Sequence, residues 1–155
     1  MSQVHVEASA VVAAAPEQVY AVFADYRNAH PRILPRAYFS DLVVEQGGSG
    51  AGTVFRVKTR FLGAERAYHL AVTEPVPGRT LVETDLDTGL ATTFTIMPTP
   101  YEQQAWVQIA TVWEASRGTT GLIERVTMPP IMRMIYRKEL RQLAAYLQQK
   151  LARAS

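Results

Sequence analysis

Cysteine is absent from the 155 residues, which excludes disulfides, thiolate metal sites and cysteine nucleophiles. A fold that needs no oxidising environment is expected in the cytoplasm. No apolar run approaches the ~20 residues of a membrane span. The opening MSQVHVEASAVVAAAP has no basic start and is interrupted by Glu7, so it reads as a strand and not as a signal peptide. Charge of one sign is also lacking. The formal net charge of +2 is too small to argue for nucleic acid as a partner. The glycine-rich stretch GGSGAG at 47–52 has neither the Lys-Ser/Thr ending nor the following helix of a phosphate loop. Ser9, Ser40, Ser49 and Ser116 have no Gly-x-Ser-x-Gly context. His5 and His30 stand isolated in the chain, and no His/Asp/Glu spacing suits zinc or iron. No metal and no cofactor is therefore expected.

What is present is an ordinary globular composition, 48% hydrophobic and 19% charged. A chain of this length suits one domain spanning 1–155 with a sizeable core. Val4, Val6 and Ala8 alternate with His5, Glu7 and Ser9, the mark of a half-buried strand. Pro16 then suits the first turn of a helix, and Val19, Val22 and Phe23 follow at helical spacing. That helix ends before Pro31, and NAHPRILPR gives a second short helical turn or a tight bend. From Tyr38 the period becomes two. Strands are expected over 38–46, 53–61, around Tyr68–Val72, over Thr80–Thr84, over Leu90–Met97 and over Gln103–Glu114, with turns at 46–52, 61–64, 75–78, 88–89 and 98–100. The remainder is helical, with Met132, Tyr136, Leu140, Leu143, Leu147 and Leu151 in one apolar stripe. Pro129 and Pro130 either precede the start of this helix or kink a longer one. Strands joined by short turns and followed by a long helix imply an α+β packing around an antiparallel sheet.

The order strand, two short helices, six strands and long helix resembles the START-like helix-grip superfamily, the SRPBCC group of polyketide cyclases/dehydrases and lipid-transfer proteins. The likeness spans nearly the whole chain and is carried by APEQVYAVFADYRNAHPRILP (15–35), LAVTEPVPGRTLVET (70–84) and the leucine-striped terminal helix. It implies a helix-grip fold, in which a seven-stranded curved antiparallel sheet, two short helices and a long C-terminal helix enclose a cavity. The expected lining is Phe55, Val57, Thr59 and Phe61, then Tyr68, Leu70 and Val72 on the neighbouring strand, and Phe94 and Ile96 beyond. The last strand contributes Trp106 and Gln108, or on the opposite parity Val107 and Ile109. The helix contributes Met128, Met132, Ile135 and Tyr136, adaptable walls for a flat or flexible apolar ligand.

Glu139 falls inside the apolar stripe, where a carboxylate needs a partner or its pKa rises. It is expected either at a ligand or, at the rim, beside a surface arginine. His69 should face opposite to Tyr68, outward. Arg133, Arg137 and Arg141 step by four along the helix, which makes a solvated face or a weak docking surface for an anionic membrane or an acidic partner.

The resemblance implies, first, a binding protein for a small hydrophobic molecule (a lipid, polyketide or aromatic metabolite) in transport, storage or sensing. The chain itself is expected as a monomer or homodimer. The alternative is a cyclase/aromatase/dehydrase-type enzyme drawing on Arg56, Arg60, Tyr68, His69, Glu83 or Glu139. In the sequence these form no compact acid/base constellation, so the catalytic residues are left unassigned. A second alternative is an interaction module or chaperone of the same superfamily.

Overall fold

Residues 2–154 are described by the structure, a computed structural model. The elements run β1 (Gln3–Val12), α1 (Pro16–Ala24), α2 (Ala29–Ile33), β2 (Phe39–Gln46), β3 (Val54–Phe61), β4 (Ala64–Val76), β5 (Thr80–Asp85), β6 (Ala91–Pro98), β7 (Ala105–Glu114) and α3 (Gly118–Ala154). The seven strands form one antiparallel, curved sheet in the order β1-β7-β6-β5-β4-β3-β2. Only β1 is displaced from its sequence position. It pairs with β7, with Val6 opposite Thr111. The α3 helix lies against β1, α1 and α2.

Local chemistry explains the helix ends. Pro16 opens α1, and Gln18 Oε1 accepts a hydrogen bond from the Ala15 N–H at 2.9 Å. Val19, Val22 and Phe23 point into the core. The glycine-rich loop at 47–52 docks on the far end of α1, where Gly48 O accepts from Tyr26 N and Gly50 N donates to Ala24 O. Gly48 has φ +134°, and a Cβ there would meet the Arg27 side chain at 2.4 Å, so the close approach needs glycine. At the β7–α3 corner, a Cβ on Gly121 would lie 1.8 Å from the Ser116 carbonyl oxygen.

Two expectations about proline are refined. β4 continues through Pro75 to Val76. It does so because the β4–β5 register shifts between Thr73 and Val76, where no ladder bond from residue 75 is required. The α3 helix is a single element running through Pro129 and Pro130. The carbonyls that lose their helical donors belong to Arg125 and Val126, both exposed, so water can satisfy them. Among the described residues no helix is long and apolar enough to cross a membrane.

Candidate functional site

The concave face of the sheet and α3 enclose a cavity of about 180 Å³. On β3 the alternation of large side chains sends Phe55, Val57, Thr59 and Phe61 to the cavity, and Tyr68 and Leu70 of β4 join them. Phe55 pairs with Leu70 and Val57 with Tyr68, and directly opposed residues of an antiparallel pair share a face. Phe94 lines the cavity from β6, and Met128, Met132, Ile135, Tyr136 and Glu139 line it from α3.

Three sequence expectations are corrected. Trp106 and Gln108 lie on the other face of β7, where Gln108 Nε2 donates to Glu7 Oε2 at 3.1 Å. The parity is set by register. Phe94 is paired with Ile109 and Ile96 with Val107, so the inward residues are Val107, Ile109 and Thr111, all fully buried. Ile96, also fully buried, belongs to the packed core and not to the cavity wall, and Val72 likewise lies outside it. Ile109, Thr111 and Trp113 form the β7 wall instead.

The polar end of the cavity joins Glu83 and Glu139, both candidates from the sequence, to a histidine that sequence reasoning set aside. His30, from α2, is 2% exposed. Its Nδ1 lies 2.7 Å from the Phe23 carbonyl oxygen. A carbonyl only accepts, so Nδ1 carries the proton and Nε2 presents its lone pair. That Nε2 is 3.9 Å from Glu83 Oε2 on β5 and 3.8 Å from Glu139 Oε1 on α3. Both separations exceed a hydrogen bond. Tyr26 OH donates to Glu83 Oε2 at 2.9 Å. Glu139, 2% exposed, forms no ion pair with an arginine among the described residues, against the expected rim pairing. Its Oε1 is a buried oxygen without a hydrogen-bond partner, as is Thr59 Oγ1.

Aromatic packing holds the imidazole in place. Its ring stacks on Tyr26 at 4.7 Å and meets Phe94 and Phe23 edge-on at 5.4 and 5.6 Å. A signal for this was present in the chain. Phe23, Tyr26, His30 and Ile33 continue one helical stripe in steps of three and four across the break between α1 and α2. Beside the cluster, Tyr136 OH and Thr111 Oγ1 share a hydrogen bond, and Thr111 Oγ1 lies 2.7 Å from Thr92 Oγ1.

Burial dominates the electrostatics. It pushes Glu83 up to about 7, opposed by the Tyr26 hydrogen bond that favours its anion. Glu139 is pushed well above the ordinary carboxylate range by burial first and by the neighbouring Glu83 second. Burial pushes His30 down to about 4, against the pull of the Phe23 carbonyl and Asp25. Near neutral pH Glu139 therefore holds its proton and Glu83 is about half ionised, beside a neutral imidazole. The remaining acid/base candidates do not converge here. Arg56 pairs with Glu45 at 2.8 Å, Arg60 with Glu65 at 3.3 Å, and His69 Nε2 lies 2.7 Å from Glu45 Oε1, all on the outer face of the sheet. Tyr68 lines the cavity. Among the described residues no group of three or more His, Cys, Asp or Glu could hold a metal ion.

The family described as "Polyketide cyclase / dehydrase and lipid transport" matches residues 3–148. Among solved structures, the KanY protein, determined in solution by NMR, is 29% identical and has a TM-score of 0.82, covering 96% of this chain and 99% of that one. The Zhui aromatase/cyclase from a Streptomyces species is 15% identical with a TM-score of 0.77, covering 97% of this chain and 96% of that one. A START superfamily protein from Mycobacterium smegmatis is 16% identical with a TM-score of 0.65, covering 97% and 99%. The last two likenesses concern the fold alone. Among curated proteins no significant match is found.

Proposed function

The chain belongs to the polyketide cyclase/dehydrase and lipid transport family, and we propose that it binds a small hydrophobic molecule in the cavity between the sheet and α3. The molecule's polar end would rest against Glu83, His30 and Glu139. One observation carries this reading: Glu139 Oε1 is buried, without a partner, at the wall of an apolar cavity. Such an oxygen costs about 1–3 kcal/mol unless something completes it, and a ligand is the natural complement. Size narrows the ligand class. An engineered apolar cavity of about 150 Å³ accepts benzene, so 180 Å³ suits a single substituted ring. A long lipid chain or an extended polyketide would need the Met128–Met132 end to open.

Native mass spectrometry of freshly purified protein, compared with the denatured sample, tests this. A co-purifying small molecule is expected, and it should be lost from a Val57→Phe variant that fills the cavity at a cost of about 1–3 kcal/mol. Finding no such molecule, together with no thermal shift from any single-ring hydrophobe, would contradict it.

A second reading is favoured by a specific feature. Two carboxyl groups whose protons are held near or above neutrality converge on the cavity, as proton transfer to and from a bound carbonyl compound requires. Incorporation of solvent deuterium into a bound methyl ketone discriminates the two, because a carrier leaves the ketone unlabelled.

The exposed face of α3 supports a delivery role at an anionic bilayer. Leu122, Ile123 and Val126 are exposed within one turn, next to the Met128 end of the cavity. Farther along lie Arg133, Arg137 and Arg141, which form no ion pair among the described residues. The two acids of α3 are directed elsewhere: Glu124 accepts from Ser116 N at 2.7 Å, and Glu139 is buried. Apolar contact at one end and cations at the other match a negatively charged lipid surface. Co-flotation with phosphatidylserine-containing vesicles at low salt is expected. It should be lost with phosphatidylcholine vesicles and in a Leu122→Glu/Val126→Glu variant. Absence of flotation with the anionic vesicles would overturn the docking role.

A further inference from the structure

We infer that the polar end of the cavity takes a small organic ammonium ion, a primary amine carried on an apolar single-ring body. The inference rests on the ligand-binding reading above and names the chemistry of its ligand.

The cluster is built of acceptors. With Nδ1 committed to the Phe23 carbonyl, His30 offers only the Nε2 lone pair. Once ionised, Glu83 and Glu139 offer only oxygens. These three groups, on α2, β5 and α3, meet with Nε2 within 4 Å of an oxygen of each carboxyl. An ammonium group has three N–H donors and one positive charge, so it can give one hydrogen bond to each acceptor and balance one carboxylate.

Among the described residues no group already fills that role. From the loop after α1, Tyr26 OH is committed to Glu83 Oε2, and Asp25 donates nothing, since its oxygens accept from Asn28 N and Ala29 N. Thr92 on β6 and Thr111 on β7 bond to each other, and Tyr136 on α3 bonds to Thr111. Arg66 and Glu124 touch the cavity, but Arg66 forms no ion pair with Glu83 or Glu139 among the described residues, and Glu124 accepts from Ser116. Two buried acids thus stand beside a neutral imidazole without a cationic partner, and protons substitute for it. The rest of the wall is rich in ring faces: Phe55, Phe94, Phe61, Tyr68 and Trp113. Aromatic faces attract a cation more strongly where water is excluded.

The charges balance through a proton. Below pH 7 both carboxyls of the empty cavity hold protons, and near pH 7 Glu83 is about half ionised. When the ammonium ion enters, one carboxyl loses its proton to solvent, and the resulting carboxylate faces the ammonium. Binding therefore releases up to one proton per amine below pH 7 and about half a proton near it, and affinity rises as pH is raised towards the value at which Glu83 ionises, about 7, and levels off above it. A carboxylate ligand would add a further negative charge beside two acids. A neutral alcohol can satisfy one acceptor at most.

Isothermal titration calorimetry of the full chain with three ligands of one size and different charge tests this. The ligands are phenethylamine, 2-phenylethanol and phenylacetate, titrated near pH 7 in two buffers of different ionisation heat. Phenethylamine is expected to bind at least ~10-fold more tightly than 2-phenylethanol, with buffer-dependent heat from the released proton and with no detectable binding of phenylacetate. In Glu139→Gln and Glu83→Gln, which keep side-chain shape, the preference for amine over alcohol should collapse towards parity. If 2-phenylethanol or phenylacetate binds as tightly as phenethylamine, the amine inference is overturned while the ligand-binding cavity stands. If none of the three binds, both are overturned.

Discussion

Glu139→Gln is expected to raise the melting temperature at pH 8 by several degrees and to change it little at pH 5. Glu139 is buried, and its Oε1 has no partner. Its folded pKa lies well above the ordinary carboxylate value. The folded state therefore retains a proton that the unfolded chain releases. When the native state binds more protons, stability falls as pH rises. The full contribution of the protonated acid is present below the unfolded value of 4.5 and is lost progressively above it.

Glu83 behaves in the same way up to about 7, which corresponds to about 3 kcal/mol. His30 acts with the opposite sign between about 4 and 6.5, since there the unfolded chain binds the extra proton. Two acids outweigh one histidine in the shared window, and above it only the acids contribute. Wild-type stability should accordingly decline from about pH 5 to pH 8. Glutamine has no proton to release, so the variant should lose much of that slope. With about 1–3 kcal/mol at stake and 2–4 °C per kcal/mol for a chain of this size, a gain on the order of 5 °C at pH 8 is expected. Thermal melts of both proteins across this range measure it, and parallel curves would contradict it.

Phe23→Ala is expected to cost about 3–5 kcal/mol, on the order of 10 °C in melting temperature. The ring is fully buried and lies 4.7 Å from Phe94 and 5.6 Å from His30. The Phe23 backbone carbonyl, which fixes the histidine tautomer, would survive the substitution, but the packing that aims the imidazole would not. Ligand affinity should therefore fall together with stability. Trp106→Ala makes the control. Trp106 lies on the outer face of β7, so its loss should cost about 1 kcal/mol or less. Chemical denaturation of the two variants separates the cases, and an equal cost for both would contradict the assigned faces of the sheet and the core.

The contrast between these residues shows how much the chain discloses by itself. The run TVFRVKTRF marks a strand and its two faces, because Arg56, Lys58 and Arg60 alternate with Phe55, Val57, Thr59 and Phe61. Its inward set is the cavity wall of β3. In β7 both faces carry large side chains, and a period of two has no sign. Only the register against β6, with Phe94 opposite Ile109, decides that Trp106 and Gln108 point outward. Glu139 is conspicuous on a helical wheel because a carboxylate interrupts an apolar stripe. His30 is conspicuous only if α1 and α2 are read as one stripe across their break. That it meets Glu83 and Glu139 depends on β5 lying mid-sheet and on α2 sitting beneath α3. These are long-range placements that no local pattern encodes.

The protonation of the buried acid pair underlies the stability, the ligand class and the chemistry proposed for the cavity. Carbon-13 NMR titration of the side-chain carboxyls of Glu83 and Glu139, assigned through the two Glu→Gln variants, reads it directly. The expected result is one carboxyl titrating near 7 and the other well above the ordinary range, with at least one ionising at constant pH when phenethylamine is added. Two carboxyls that both titrate near 4.5, unaffected by the amine, would contradict it.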